Sequence, residues 1–277
     1  MRFVVLGDLH WDGRCEAAVR EAFADLRALA PDFILSVGDL TGGSGVGGGK
    51  ALREAKALLD GLGVPVHAVA GNHDFEGAEF STDRENLDDF LSVFGRQTPW
   101  YARDFGAWKG VFLCNERFRD HTVQRHEVYL SPAQLAWFEE TLARASAPVF
   151  VVCHASPLGS GLRILPELHL RGGNAYVNQN YEPGRIAHIL LSHPGVRLWF
   201  SGHTHLGHQY PDAISRALGA HFVHCGTLHP GQNRDGKRHS RVVDLVGEGC
   251  TVATIDHDLR RLDGTLERKI DVRRLGA

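Results

Sequence analysis

Five short apolar runs punctuate the chain, and each stops abruptly at polar residues. Phe3-Val4-Val5-Leu6 stops at Gly7-Asp8-Leu9-His10, and Phe33-Ile34-Leu35-Ser36-Val37 stops at Gly38-Asp39. Val64 to Ala70 stops at Gly71-Asn72-His73-Asp74, Val149 to Cys153 at His154, and Val196 to Ser201 at Gly202-His203-Thr204-His205. Runs this short and this continuous predict strands buried on both faces. Between them the apolar positions switch to helical spacing. Val19, Phe23, Leu26 and Ala30 predict a helix that Pro31 stops, and Leu52, Ala55, Leu58, Leu59 and Leu62 one that Gly63 ends. Thr82-x-x-Glu85 and Ser131-Pro132-Ala133-Gln134 are capping-box signatures ahead of two more helices. Ile186, Ile189 and Leu190 predict a short fifth helix before the last run.

The first three runs start about 30 residues apart, the length of a βαβ unit, so the class is α/β. Other stretches have the pattern of antiparallel strands: Trp100 to Asp104, Gly110 to Cys114, Ala220 to Cys225, Arg241 to Val246 and Cys250 to Asp258. Leu262-Asp263-Gly264-Thr265-Leu266 predicts a hairpin through Asp-Gly. Two irregular stretches interrupt the pattern, the glycine-rich Thr41 to Gly49 and the long segment 155–183. Long loops of this kind tend to be functional. No linker divides the 277 residues, so one domain, 1–277, is expected, its C-terminal strands within 241–275.

Composition narrows the field. Hydrophobic residues make up 43% and charged residues 23%, which excludes a disordered or fibrous chain. No apolar run reaches the roughly 20 residues of a membrane span. A net charge of −3 offers no broad basic face for nucleic acid or membrane. Five scattered cysteines without a CxxC argue against a disulfide framework or a thiolate zinc site. The start of the chain has no signal-peptide pattern, so a reduced, cytoplasmic protein is the expectation. Histidine is the exception to this ordinary composition, with 17 residues.

Ligands of open α/β sheets sit beyond the carboxyl ends of strands, and all five ends here carry Asp, Asn or His. Asp8-x-His10 and His203-x-His205 have spacing two, which in extended chain turns both side chains to one side. Asp39 can bridge, because a carboxylate has two oxygens. Asn72 adds a neutral oxygen and His154 another imidazole. Oxygen and imidazole without thiolate suit Mn, Fe or Zn. The glycines at 7, 38, 71 and 202 permit the close approach that converging ligands need.

Taken in order, Asp8-x-His10, Gly38-Asp39, Gly71-Asn72-His73-Asp74, His154 and Gly202-His203-Thr204-His205 resemble the calcineurin-like metallophosphoesterase superfamily over roughly residues 2 to 230. In size and layout the chain is similar to small bacterial enzymes of the class III cyclic-nucleotide phosphodiesterase type. The segment Leu130 to Trp137, a helix start ahead of the His154 strand, fits that subgroup. Two departures stand out: Cys153-His154-Ala155-Ser156-Pro157 lacks the usual second histidine and paired prolines, and Cys114-Asn115 replaces the usual Leu-Asp-Ser. The resemblance implies a four-layer α/β/β/α fold, a central β-sandwich flanked by helices. It implies Asp8, His10 and His205 on one metal, Asn72, His154 and His203 on the other, and Asp39 bridging. His73 would be a catalytic residue near the leaving group, and Asp74 would orient it.

Two metals about 3.5–4 Å apart would polarise a bridging water to hydroxide for in-line attack on phosphorus, and His73 would protonate the leaving oxygen. The expected partner is a small phosphoester, with phosphodiesters such as nucleotides favoured. Monoesterase and nuclease activity, or a non-catalytic interaction module, are the alternatives. A Walker-type phosphate loop is not met by Thr41 to Gly49, which lacks the Gly-Lys-Ser/Thr ending. His67 is expected in the core, and His121, His126, His188, His193 and His239 in surface or structural roles. His224 and His229 are candidates for substrate contact, and His169, Asn174, Tyr176, Asn178 and Tyr181 for the pocket mouth. Arg234, Lys237 and Arg238 form a small basic cluster that could grip phosphate, and the charges from Arg260 to Arg274 alternate as on a solvated strand face.

Overall fold

The computed structural model describes residues 1–121, 123–162, 173–247 and 249–272. Three of the apolar runs form the parallel strands β1 (Arg2–Leu6), β2 (Phe33–Ser36) and β3 (Val66–Ala68). The other two form β6 (Val149–Val152) and β7 (Val196–Ser201) in a separate sheet. The first sheet is completed by β10 (His239–Val246), β11 (Gly249–Asp256) and β12 (Arg261–Asp271), in the order β12-β11-β10-β1-β2-β3. The second contains β4 (Tyr101–Phe105), β5 (Trp108–Phe112), β8 (Ile214–Ala217) and β9 (Ala220–His224), in the order β4-β5-β6-β7-β9-β8.

Side-chain alternation along each strand divides the apolar residues among three cores. Phe3 and Val5 of β1, Phe33 and Leu35 of β2, Phe150 and Val152 of β6 and Leu198 and Phe200 of β7 meet between the sheets. Val4 and Leu6 face the opposite way, toward α1 (Glu16–Ala28), α2 (Gly49–Asp60) and α3 (Asp83–Val93). On the far side Val151 and Trp199 pack under α4 (Pro132–Ala143) and α5 (Arg185–Ser192). β1, β2, β6 and β7 therefore carry apolar residues on both faces, which is why their runs are continuous rather than alternating. Burying one such Phe or Leu contributes about 1.5–3 kcal/mol. The result is the four-layer α/β/β/α fold. Among the described residues, no helix is long and apolar enough to cross a membrane.

Both predicted caps form. Thr82 accepts from the Glu85 amide at 3.1 Å, and Glu85 reaches back to the Ser81 amide at 2.7 Å. Ser131 accepts from the Gln134 amide at 3.2 Å, but the Gln134 side chain turns instead to the backbone of Cys114. Substituting such a cap by alanine typically costs about 1 kcal/mol. Two expectations need correction, and one strand has no sequence expectation. β5 and β9 pair antiparallel with β4 and β8 but parallel with β6 and β7, β5 reaching β6 through α4 and β7 reaching β9 through the segment that contains β8. β8 has too little apolar character to be read from sequence. The hairpin lies at residues 257–260, not at Asp263-Gly264. There Asp256 Oδ1 accepts from the Asp258 and Leu259 amides and shapes the turn, and Arg260 takes φ 55°. Asp263 instead accepts from Thr265 N at 2.9 Å, and the pairing jumps from Thr254↔Asp263 to Val252↔Arg268, so the Asp-Gly unit bulges from β12.

At one edge the two sheets are joined by main-chain bonds. The carbonyl of Asp8, beyond β1, accepts from Leu228 N at 3.2 Å and Thr227 Oγ1 at 2.6 Å, beyond β9. The carbonyl of Ala70, beyond β3, accepts from Asn115 N at 3.2 Å, beyond β5. This edge is where the five polar strand ends meet.

Candidate metal centre

Each strand end delivers its side chains through a turn that few residue types tolerate. A Cβ on Gly7 would lie 1.5 Å from the Gly226 carbonyl oxygen, and one on Gly71 would lie 2.2 Å from Asp39 Oδ1. Only glycine lets these backbones approach so closely. His10, Asp39, His203 and His205 adopt φ values of 46°, 50°, 70° and 54°, the left-handed region. Such conformations cost on the order of 1–3 kcal/mol each and persist where the surroundings enforce them. Four in one cluster mark strain held at a functional site.

The seven sequence candidates come together across the two sheets. Asp8, His10, Asp39 and His205 offer donor atoms within 4.8 Å of one another, and so do Asp39, His154 and His203. Asp39 belongs to both groups. His10 Nε2 lies 2.9 Å from His205 Nε2. His154 Nε2 lies 3.1 Å from Asn72 Oδ1, 3.2 Å from Asp39 Oδ2 and 3.2 Å from His203 Nδ1.

The outward ring nitrogens explain what the inward ones must be. His154 Nδ1 is 2.9 Å from the Val37 carbonyl, His203 Nε2 2.6 Å from that of Asn174, and His205 Nδ1 2.9 Å from that of Gln232. A carbonyl only accepts, so each of these nitrogens carries the proton. In the neutral rings, His154 Nε2 and His203 Nδ1 are then bare lone pairs, facing each other and the oxygens of Asp39 and Asn72. Acceptor faces acceptor, an arrangement that repels unless a cation sits among them. Tethering the far nitrogen of a histidine to a carbonyl is also how metal-ligating rings are oriented. Asn72 Nδ2 is buried without a hydrogen-bond partner among the described residues. The residues therefore fit metal ions.

Without a cation, charge is unevenly held. Burial pushes Asp8 up to about 7 and His10 down to about 3. For Asp39, burial is outweighed by the positive charges of His154 and His73, which hold it below the usual carboxylate range. Burial opposes charge on His154 too, yet the Asp39 carboxylate raises it to about 9, so that a proton takes a cation's place.

His73 lies beside this cluster, its ring edge-on to His10 with centroids 5.2 Å apart, and its amide donates to Asp39 Oδ1 at 2.9 Å. Asp74 does not orient it. The Asp74 carboxylate accepts from the amides of Leu40 at 2.8 Å, Thr41 at 3.1 Å and Gly71 at 2.9 Å, fastening the loop after β2 to the one after β3. Donors from two loops outnumber the single imidazole and take the carboxylate. His73 Nδ1 instead lies 2.6 Å from Glu76 Oε1, which is 3.0 Å from His126 Nδ1. Sequence reasoning missed Glu76 and His126. The available signal was the spacing of three from His73 to Glu76, one 3-10 turn.

The other candidates divide. His67 is buried against Phe33 and Phe105, as expected of a core ring. His224 points its Nε2 at the Leu206 carbonyl at 2.9 Å, into the protein rather than toward substrate. His229 accepts from Gly231 N and faces Asp12 at 3.6 Å. Asn174 contributes its carbonyl to His203, while Asn178 bonds both backbone groups of Leu130 and Tyr181 packs on the Arg117 guanidinium. Tyr176 is half-buried in the same loop. His169 lies outside the described residues. Arg238 is paired with Asp258 at 2.7 Å and Lys237 packs by Gly207. Arg234 makes no ion pair among the described residues, and its amide donates to the His205 carbonyl at 3.2 Å.

Comparison with known proteins adds three findings. The sequence profile of calcineurin-like phosphoesterases matches residues 1–207. A search of curated proteins returns no match. Among solved structures, the chain is similar to a dimetal phosphatase from Danio rerio, at TM-score 0.70 and 15% identity over 99% of both chains. It is also similar to a purple acid phosphatase from yellow lupin seeds, at TM-score 0.65 and 14% identity, over 98% of this chain and 53% of that one. The TT1561 protein of Thermus thermophilus is a third, at TM-score 0.54 and 13% identity over 98% of this chain and 99% of that one. At these identities the likeness is one of fold.

Proposed function

The chain belongs to the calcineurin-like phosphoesterase family and is a metal-dependent phosphoesterase; from that premise we propose that it hydrolyses small phosphodiesters, nucleotides among them, at a centre of two metal ions. Asp8, His10 and His205 would hold one ion, Asn72, His154 and His203 the other, and Asp39 both. The observation that carries this reading is the convergence of His154, His203, Asp39 and Asn72 acceptor atoms at 3.1–3.2 Å, which a bound cation would satisfy and a proton on His154 stands in for without one. Mn, Fe or Zn suit a donor set of oxygen and imidazole without thiolate. Such ions supply an activated water and offset the charge that develops on the phosphoryl oxygens.

The protein's own groups do the rest. The carbonyls of Val37, Asn174 and Gln232 fix the ligand rings, so the site needs little rearrangement to receive its ions. His73, anchored by its amide on Asp39, stands next to the site and is not one of the seven ligands. Burial opposes its charge, but in the metal-free protein Asp39 and Glu76 raise it to about 9; Glu76, which holds no ion in this reading, goes on favouring the protonated ring when the ions bind. That proton goes to the leaving oxygen, which departs as an alcohol. A diester carries one negative charge, which two cations meet without a further clamp. The test measures bound metal and kcat/KM for bis-nitrophenyl phosphate and nitrophenyl phosphate. Two ions per chain and a diester preference are expected; a clear monoester preference would overturn the substrate assignment.

One observation favours the monoester reading. Arg234 is near enough to Asp8 and His205 for its charge to act on both. A third fixed cation there suits a phosphate dianion. If Arg234 grips phosphate, Arg234→Ala lowers monoester turnover far more than diester turnover. Tenfold corresponds to about 1.4 kcal/mol.

A further inference from the structure

We infer that Glu76 and His126 form a positioning pair for His73, an inference that rests on the reading of His73 as the proton donor. The 3-10 turn His73–Phe75 brings residues 73 and 76 to the same side of the chain. Glu76 Oε1 then lies 2.6 Å from His73 Nδ1 and 3.0 Å from His126 Nδ1. The two rings stand 5.2 Å apart, centre to centre, with the carboxylate oxygen between their nitrogens. Glu76 is the most enclosed of the three side chains, at 15% exposure against 30% for His73 and 41% for His126.

The geometry has a chemical consequence. A carboxylate beside Nδ1 selects the form of His73 that carries a proton on that nitrogen. The other nitrogen, Nε2, has no partner among the described residues, and the ring stands beside His10. Nε2 therefore holds the proton that is given up. When it goes to the leaving oxygen, the ring becomes neutral and keeps its Nδ1 proton on Glu76. The amide of His73 is bonded to Asp39 and its ring Nδ1 lies against the Glu76 carboxylate, so the imidazole is restrained at both ends. His126 comes from the loop after β5 and brings Nδ1 to 3.0 Å from the same oxygen on its other side, a close charge contact rather than an aligned hydrogen bond, which favours Glu76 in this position. Burial works against the carboxylate, yet its contacts with His126 and His73 lower it to about 2, in keeping with a charge held between two imidazoles.

The test uses the metal-loaded enzyme and diesters whose leaving groups span alkyl alcohol to nitrophenol. Glu76→Ala should lower kcat roughly 10²-fold for alkyl leaving groups, and much less for nitrophenol, with KM and metal content unchanged. Glu76→Gln, which keeps the oxygen and loses the charge, should recover part of that loss, and His126→Gln should cost less than Glu76→Ala. In a His73→Ala background, Glu76→Ala should add almost nothing, because its effect passes through the imidazole. If single variants show no dependence on the leaving group but remain non-additive, His73 is not the acid and the pairing stands. If Glu76→Ala costs as much without His73 as with it, the pairing is overturned. Three metal ions per chain, falling to two in both Glu76→Ala and His126→Ala, would also overturn it and make the trio a cation site.

Discussion

Two groups of buried histidines lie close in this sequence and differ in how their nitrogens are matched. In the metal centre, His154 and His203 each donate outward to a carbonyl and turn a lone pair toward another acceptor. In the second group, around β9, β10 and β11, most donors and acceptors are matched; among the described residues His239 Nε2, 3.5 Å from Asp256, and His257 Nδ1 are left without a hydrogen bond. His208 accepts from Gly226 N at 2.9 Å and faces Thr254 Oγ1 at 3.1 Å, and His239 Nδ1 accepts from His208 N at 2.9 Å. His224 faces the Leu206 carbonyl, and His257 faces Ser240 Oγ at 2.9 Å. The guanidinium of Arg241, buried among them, is spent on the His224 and Ala213 carbonyls and Thr254. Burial alone does not identify a metal site; a surplus of inward acceptors does.

The most damaging test of that contrast is Asp39→Ala. Both metal ions should be lost and kcat/KM should fall by at least roughly 10²–10³-fold, more than a single oxyanion-hole donor is worth. Full occupancy by elemental analysis with normal turnover would erase the distinction between the two groups. Next in size is His208→Phe. It strips Gly226 N of its acceptor, and an unsatisfied buried group costs about 1–3 kcal/mol. The melting temperature should drop by roughly 2–4 °C for each kcal/mol, while metal content stays at its original value. Metal loss without a change in melting would reverse the roles assigned to the groups.

The subtlest test is pH, because His154 of the metal centre shifts in the opposite direction to the second group. Burial lowers His224 to about 4 and His257 to about 3, against about 6.5 in an unfolded chain. Their stabilisation is complete above about 6.5 and drains away as pH falls toward those values. In metal-free protein, His154 is raised to about 9 against the pull of burial, chiefly by Asp39. Its stabilisation is complete below about 6.5 and is lost as pH rises through about 9. Melting curves of the metal-free protein should decline at both ends, and Asp39→Asn should flatten only the alkaline one. An alkaline decline that survives Asp39→Asn would show that it has another source.

Much of this was legible from strand ends. Continuous apolar runs gave five strands, β1, β2, β6 and β7 inside their sheets and β3 at an edge, because layers on both sides leave no polar face, and the polar residues after them gave the candidate ligands that converge at one edge. Which sheet a run joins was not legible: β3 and β6 have the same pattern, and only long-range pairing separates them. Asp74 was misread because a carboxylate next to a histidine in sequence suggests a dyad, whereas three amides from neighbouring loops claim it. His126 could not be found, since Glu76 is 50 positions away in the sequence and no local pattern links them. The Asp-Gly of β12 carries a real turn tendency, but Asp256 organises a tighter one a few residues earlier.

The main-chain bonds from Asp8 to Leu228 and from Ala70 to Asn115 give the sandwich an edge that cannot slide. Facing sheets usually meet through side chains, which can creep past one another without breaking a backbone bond. Here the amides of Leu228 and Asn115 can take up deuterium only when the sheets part at the ligand edge. Their exchange becomes a clock for that one opening, distinct from fraying at β12 or β4 on the outer edges. A cation bound between the sheets should slow this clock in proportion to its affinity. Reading the two amides with and without metal would time how often the site comes apart.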